Sequence, residues 1–312
     1  MKLVVTGALG HIGSRLIREL PATVPGAEIV MIDNLMTQRY ASLFDLPRDG
    51  RYRFVEQDVT KADLEAIFTG AYAVVHLAAM TDAAGSFGQA AELEANNFQA
   101  TARVAEACGQ TGARLIALSS TSVYGTQAEV VSEDCTAEEI NPQSPYAQTK
   151  LKEEKLIAWL CAAKKLRAVS CRFGTIFGTS PGMRFHTAVN KFCWQAVMRQ
   201  PLSVWRTAYN QKRPYLDLSD AIRAIAFIIQ NGLFDGRAYN VLTLNTTVRE
   251  IIDCLRAFVP ELEIGFVESP AMNQLSYDVS CERFMAQGFS FDGNLQRSIG
   301  QTVALLRAAN GS

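Results

Sequence analysis

Tyr146 and Lys150 stand four residues apart in the segment SPYAQTK, which on a helix puts a phenol and an ammonium one turn apart on one face. Ser144 is a good helix N-cap and Pro145 suits the first helical position, so a helix is predicted to begin there. A phenol with its ordinary pKa of about 10 is a poor base at neutral pH; a neighbouring ammonium stabilises the phenolate and draws the group toward acid-base work. The same spacing also describes an exposed polar pair, so the residues upstream matter. Ser119, Ser120, Thr121 and Ser122 in SSTSVYG follow an apolar run. That puts their hydroxyls at the carboxyl edge of a buried strand, where ligands bind in open parallel sheets. A hydroxyl there can bond the substrate oxygen whose proton Tyr146 removes.

A second constellation lies at the N-terminus. In GALGHIG, Gly7, Gly10 and Gly13 surround His11 and Ile12 directly after the apolar run LVV. Such a turn lets backbone N–H groups at a helix start face a pyrophosphate without side-chain obstruction. Asp33 ends the next apolar run, EIVMID, twenty residues beyond Gly13, a position from which a carboxylate accepts bonds from ribose hydroxyls. That carboxylate repels the 2'-phosphate of NADP, and Asn34 and Leu35 offer no cation in its place, so NAD is favoured; Arg39 keeps NADP open.

The elements that must position these groups are legible in the periodicity. Apolar runs at Leu3 to Val5, Glu28 to Asp33, Tyr52 to Asp58, Ala73 to Ala79, Ala113 to Ser120 and Leu166 to Phe173 alternate with helical stretches. This predicts an α/β fold with a parallel, doubly wound Rossmann sheet. After Phe173 the loop GTIFGTSPG and a helix from about Phe185 to Arg199 open a smaller C-terminal α/β lobe. The helix Ser219 to Asn231 and the strand RAYNVL return to the sheet. The predicted division is a cofactor domain of residues 1–173 with 214–242, and a substrate lobe of 174–213 and 243–312.

Composition narrows the function. Thirty basic and 31 acidic side chains leave a net charge of -1, giving no broad field for nucleic acid or anionic lipid. Seven scattered cysteines without a CxxC pair suggest reduced thiols in a cytoplasmic protein. Three dispersed histidines suggest no metal cluster. No run approaches the ~20 apolar residues of a membrane span, and the short apolar N-terminus is unlike a signal peptide.

With these residues in view, the chain resembles the extended short-chain dehydrogenase/reductase family of nucleotide-sugar epimerases and dehydratases, UDP-glucose 4-epimerases among them. TGALGHIG, IDNL, Asp58-Val59, HLAA, Asn97 in NNFQAT, SSTSVYG, PYAQTK and CRFGTIFG agree in order. The resemblance implies that Gly7, Gly10, His11, Ile12 and Gly13 surround the pyrophosphate of NAD and that Asp33 and Asn34 hold its adenosine ribose. Asp58 and Val59 would flank the adenine, and Leu77, Ala78, Ala79 and Asn97 would lie beside the cofactor. Lys150 would hold the nicotinamide ribose, Tyr146 would act as the acid-base and Ser120 would assist it. Family members transiently oxidise a sugar hydroxyl; the ketone is then rotated and reduced, dehydrated, or released. In the 4,6-dehydratases Asp and Glu usually follow the catalytic hydroxyl; here Thr121 and Ser122 do, which favours an epimerase. The helices from about Gly88 to Gln110 and from Pro145 to Lys165 resemble the pair that makes the family's four-helix homodimer contact.

The chain departs from the pattern in its second half. Thr175 replaces the usual Asn after the sixth strand, and WRTAYNQKRPY replaces a glycine-rich segment. Arg213 matches the family's phosphate-binding arginine and Asp220 an acid beyond it. No second arginine appears in SPAMNQLSYDVS. Arg184, Lys212 and Arg213 are candidates for an anionic group, Trp205 for stacking, and Asp82 for a further acid. Thr121, Ser122, Thr175, Arg184 and Arg213 are the predicted substrate contacts.

Overall fold

Leu3, Val4 and Val5 of strand β1 (Lys2–Thr6) are all buried, and their side chains alternate between two separate apolar clusters, Leu3 and Val5 in one and Val4 in the other. A strand apolar on both faces can only lie inside a sheet covered on both sides. The computed structural model describes residues 1–80, 90–125, 130–136, 140–268 and 276–310. Along it follow α1 (His11–Thr23), β2 (Glu28–Asp33), β3 (Arg51–Glu56), α2 (Leu64–Phe68), β4 (Ala73–His76), α3 (Ala90–Thr111) and β5 (Arg114–Ser120). Next come β6 (Val130–Val131), α4 (Pro145–Ala162), β7 (Ala168–Phe173), β8 (Thr175–Phe177), α5 (Ala188–Val197), β9 (Leu202–Trp205) and β10 (Lys212–Asp217). The chain ends through α6 (Leu218–Asn231), β11 (Ala238–Val241), β12 (Leu244–Thr247), α7 (Val248–Arg256), β13 (Ile264–Val267), β14 (Asp278–Val279), α8 (Glu282–Met285) and α9 (Leu295–Asn310).

Among the described residues, seven strands form one sheet in the order β11-β7-β5-β4-β1-β2-β3, and every pairing in it is parallel. This is the Rossmann-type doubly wound sheet. Leu16, Ile17 and Leu20 of α1 and Ile222, Ile225 and Ile229 of α6 cover one face. Leu64 and Phe68 of α2, Val104 and Cys108 of α3 and Ile157 of α4 cover the other. The strand order reverses direction between β1 and β4, and the crevice at their carboxyl ends is where such a fold admits a ligand.

A third cluster lies apart from the sheet and joins Phe177, Phe192, Val204, Tyr215, Ile251, Leu255, Ile299 and Val303. It underlies a small sheet of β12, β10 and β8. The chain re-enters the large sheet through β11, which pairs with β7; Pro214 and Tyr215 lie within β10, whose partners are β8 and β12.

Two element ends differ from the periodic reading. The third apolar run continues to Asp58, but β3 stops at Glu56, because Asp58 Oδ1 accepts the N–H and hydroxyl of Thr60 and turns the chain. The helix expected from Phe185 starts at Ala188 instead. Asn190 accepts from the Gly178 N–H and donates to the Gly178 and Arg184 carbonyls, and so holds the preceding segment in a loop.

Candidate active site

The glycine turn after β1 is shaped by what it lacks. A Cβ on Gly7 would lie 2.7 Å from the Ala78 nitrogen, and one on Gly13 would lie 2.5 Å from the Gly7 carbonyl oxygen. Gly7 also takes φ +64°, the region open to glycine. The turn is therefore close-packed, and α1 begins directly behind it at His11. Asp33 is fixed at the end of β2: Leu9 N–H donates to its Oδ2 (3.0 Å) and Leu35 N–H to its Oδ1 (2.9 Å). The Asn34 amide donates to Asp58 Oδ2 (3.2 Å). Burial raises the Asp58 pKa, but Thr60, Asn34 and Lys61 outweigh it, and the carboxyl titrates below its usual range.

These groups open onto one cavity of about 380 Å³. Gly7, Gly10, His11, Ile12, Gly13, Asp33, Asn34, Asp58, Val59, Leu77, Ala78 and Ala79 line it, as do Ser120, Ser122, Tyr146, Lys150, Thr175 and Arg184. Residues spread over 178 positions of sequence thus converge at the switch point of the sheet, Gly7 being the first and Arg184 the last of them.

At the far end α4 presents the predicted pair. The Ser144 hydroxyl accepts the Ala147 N–H (3.2 Å), and Pro145 opens the helix. Lys150 Nζ lies 5.9 Å from the centre of the Tyr146 ring and donates to Glu153 Oε2 at 2.8 Å. Burial lifts the Tyr146 pKa and the Glu153 charge adds to that, while Lys150 and Arg184 pull it down. Burial would strip the proton from Lys150, but the charges of Glu153 and Tyr146 outweigh it and hold the ammonium. Lys150 thus draws the phenol pKa down, although burial is the larger effect in the free protein. Ser120 Oγ accepts the Ser122 hydroxyl (2.9 Å) and N–H (3.2 Å), so the two hydroxyls form a pair on the cavity wall.

Three predicted residues are not brought to the cavity as the described residues enclose it. Asn97 is buried, accepting the Met80 N–H and donating to the Met80 carbonyl; it fixes the strand end that lines the site, while its neighbour Asn96 faces the cavity. Thr121 is turned inward by the short 3-10 turn after β5 and donates to the Phe173 carbonyl. Arg213 donates to Gln211 and lies over the Tyr277 ring. Asp82 lies outside the described residues.

Other residues of the site were missed in the sequence. His186 and Thr187 line the cavity from the loop before α5, and Met36 and Thr37 from the segment after β2, beside Arg39, which the sequence named only as the cation that keeps NADP open. The same loop before α5 docks on the phosphate turn: Ser180 Oγ is hydrogen-bonded to His11 Nδ1 (2.8 Å) and Gly182 N–H donates to Ser14 Oγ (2.9 Å). Burial, with Arg184, Arg39, His186 and Arg15 nearby, pushes His11 down to about 3, so it is neutral. The only signal for this loop was its Gly, Ser and Pro content after a strand end.

With this geometry in place, the sequence comparison decides the family. A model of the NAD dependent epimerase/dehydratase family matches residues 3–241. The chain belongs to this family. This epimerase/dehydratase is an enzyme, and NAD is its cofactor. It is 30% identical over 249 residues to a Bacillus subtilis protein called an uncharacterized UDP-glucose epimerase, YtcB, covering 77% of this chain and 76% of that one. It is 28% identical over 300 residues to a trifunctional UDP-glucose 4,6-dehydratase, 3,5-epimerase and reductase of Arabidopsis thaliana, covering 92% of this chain but 44% of that enzyme. The chain thus spans less than half of that relative's length. Among solved structures, MoeE5 in complex with UDP-glucuronic acid and NAD superposes with a TM-score of 0.86 at 26% identity, over 99% of this chain and 100% of that one. The residues fit NAD: the turn leaves no room for a Cβ at Gly7 or Gly13, and the Asp33 carboxylate lines the same cavity that reaches Tyr146.

Proposed function

We propose that this epimerase/dehydratase is an epimerase of a nucleotide-activated sugar, working by transient oxidation of one sugar hydroxyl and re-reduction of the ketone from the other side. The observation that carries this reading is Ser122. It lies two residues before Tyr124, where dehydratases of the family usually have an acid, and its hydroxyl is spent on Ser120. Eliminating water from a sugar needs a group that protonates the departing hydroxyl, and a hydroxyl pair is far weaker in that role than a carboxyl group. The MoeE5 complex with UDP-glucuronic acid and NAD supports a nucleotide sugar as substrate.

In this mechanism Tyr146 takes the proton of the reacting hydroxyl and later returns it. Lys150 supports the phenolate and reaches toward the nicotinamide ribose, while Ser120 holds the reacting oxygen. Asp33 and Asn34 bind the adenosine ribose, Asp58 and Val59 border the adenine, and the Gly7 to Gly13 turn takes the pyrophosphate. When bound, NAD would supply the hydride chemistry for both the oxidation and the re-reduction. Thr175, Arg184 and Ser122 face the substrate, with Arg184 supplying positive charge for its diphosphate. Residues 1–173 with 214–242 form the cofactor domain, which also carries the reacting groups Ser120 and Tyr146, and residues 174–213 and 243–312 form the substrate lobe, in a cytoplasmic homodimer joined through α3 and α4. On α4, Trp159 is 59% exposed, which suits a helix that meets a second copy.

Incubation with a panel of nucleotide sugars tests the activity. Interconversion of two epimers without net absorbance at 340 nm is the expected result. Accumulation of a 4-keto-6-deoxy sugar would make it a dehydratase, and stoichiometric NADH a dehydrogenase. Mass spectrometry of small molecules released on denaturation is expected to find NAD. Light scattering is expected to give twice the chain mass, and Trp159→Glu to shift it toward the monomer.

A further inference from the structure

Two adjacent glutamates on α4, Glu153 and Glu154, are both buried, and they answer to different partners. Glu154 accepts three hydrogen bonds from Arg172 of β7, at 3.0, 3.2 and 2.7 Å, and Arg172 also donates to the Tyr124 hydroxyl (2.8 Å). That pair is a closed structural network. Glu153 meets Lys150 through Oε2 at 2.8 Å, with the Lys150 and Glu153 side chains 6% and 5% exposed, while its Oε1 is buried and has no hydrogen-bond partner among the described residues. A buried acid placed only to stabilise a fold satisfies both its oxygens; this one carries a standing desolvation cost and spends its charge on the ammonium beside Tyr146.

We infer that Glu153 is a positioning residue that holds the Lys150 ammonium from behind and partly cancels its charge, setting how readily Tyr146 gives and takes its proton. This rests on the acid-base role proposed for Tyr146. Lys150 lines the cavity and Glu153 does not, so the ammonium can face the site with its other N–H groups while Glu153 anchors it. The counter-charge suits an enzyme that must return the proton it has taken: a phenol made too acidic accepts protons poorly as phenolate and leaves the return step favoured, whereas one made too weak never ionises.

The charged surroundings leave this role to Glu153. On its own helix, Glu154 is matched by Arg172 and adds only a smaller pull on the Lys150 proton than Glu153 does. From β4, His76 is hydrogen-bonded to Thr6 and Thr101 and, pushed down to about 3 by burial and by Lys150, carries no charge. From the loop before α5, Arg184 adds positive charge at Tyr146. Glu153 is thus the described acid paired with Lys150 alone.

The test is Glu153→Gln, which keeps a hydrogen-bond acceptor for Lys150 and removes the charge. Removing a negative charge makes the phenol more acidic and loosens the ammonium proton. Both limbs of the pH profile of kcat/KM are therefore expected to move to lower pH, the acid limb by about one pH unit, equal to about a tenfold gain in rate on that side. The same shift is expected without cofactor or substrate, as a lower midpoint for tyrosinate absorbance near 295 nm, read as the difference from the matching Tyr146→Phe protein. Glu153→Met, close in volume and uncharged, gives the same reading if the Gln variant does not fold. Limbs and midpoint that stay in place while kcat falls at every pH would overturn the inference and leave Glu153 structural. Full activity in Tyr146→Phe would instead overturn the acid-base reading beneath it.

Discussion

Tyr146 sits in an environment that opposes its own ionisation. Burial raises its pKa, and the ammonium of Lys150 and the guanidinium of Arg184 act against that. The phenol therefore depends on those charges, and on whatever the bound cofactor and substrate add, to work near neutral pH. Tyr146→Phe keeps the ring and removes the proton carrier, so kcat is expected to fall by about 10²- to 10⁴-fold with NAD affinity unchanged in a calorimetric titration. An equal loss of NAD binding would mean that the hydroxyl positions the cofactor and that the fall in kcat does not report proton transfer. At this scale the sequence was informative where chemistry is local. The YxxxK spacing, the Ser run and Asp33 each named residues that reach the cavity. It was silent on Glu153, because nothing in a helical sequence tells a solvated i,i+3 ion pair from a buried one.

Elements impose the geometry that single residues cannot. The glycine turn is close-packed because Gly7 lies against the Leu77-Ala78 backbone after β4 and Gly13 against the backbone of Gly7 and Ala8, leaving no volume for side chains at either. Gly13→Ala sets a methyl against the backbone oxygens of Gly7 and Ala8, at 2.5 and 2.7 Å. An overpacked methyl of this kind is expected to cost about 1–3 kcal/mol of stability and to weaken NAD binding by tenfold or more, seen in thermal melts and calorimetry. Binding at the parent affinity would mean the turn yields and does not meet the pyrophosphate closely. The short turn after β5 is the counter-example. The four hydroxyl residues at the end of β5 and in the turn look alike in sequence, yet the winding sends Thr121 into the Phe173 carbonyl and leaves Ser120 and Ser122 paired on the cavity wall.

For the whole molecule, the two buried histidines tie stability to pH. His11 and His76 are both pushed down to about 3, chiefly by burial, against an unfolded value of about 6.5. Between these values the unfolded chain binds the protons and the folded chain does not, so stability is lost as pH falls from 6.5 toward 3. At pH 5 each histidine is expected to cost about 2 kcal/mol relative to pH 7. Urea unfolding at the two pH values reads the loss, and replacing His76 by Gln is expected to flatten that dependence by about half the histidine contribution. An unchanged slope would show that His76 is protonated in the fold. Both histidines face the cofactor cavity, so saturating NAD is expected to raise stability at either pH.

The sequence by itself determined what local patterning can determine: strands apolar on both faces, the glycine turn, the acid at the end of β2 and the helix start at Ser144, and with them the Rossmann sheet and its cofactor end. These follow from periodicity, backbone sterics and capping, which act over a few residues. Only the tertiary structure decided which side chains face the cavity. Asn97 and Asn96 are neighbours on α3, but a helix turns about 100° per residue, and packing chose Asn97 for the Met80 backbone. The loop that brings Ser180, Gly182, Arg184 and His186 to the phosphate turn, and the small sheet that takes β10, depend on contacts between segments more than a hundred residues apart or on cores assembled late in the chain. No local propensity encodes those distances; they are fixed when the apolar faces close on one another.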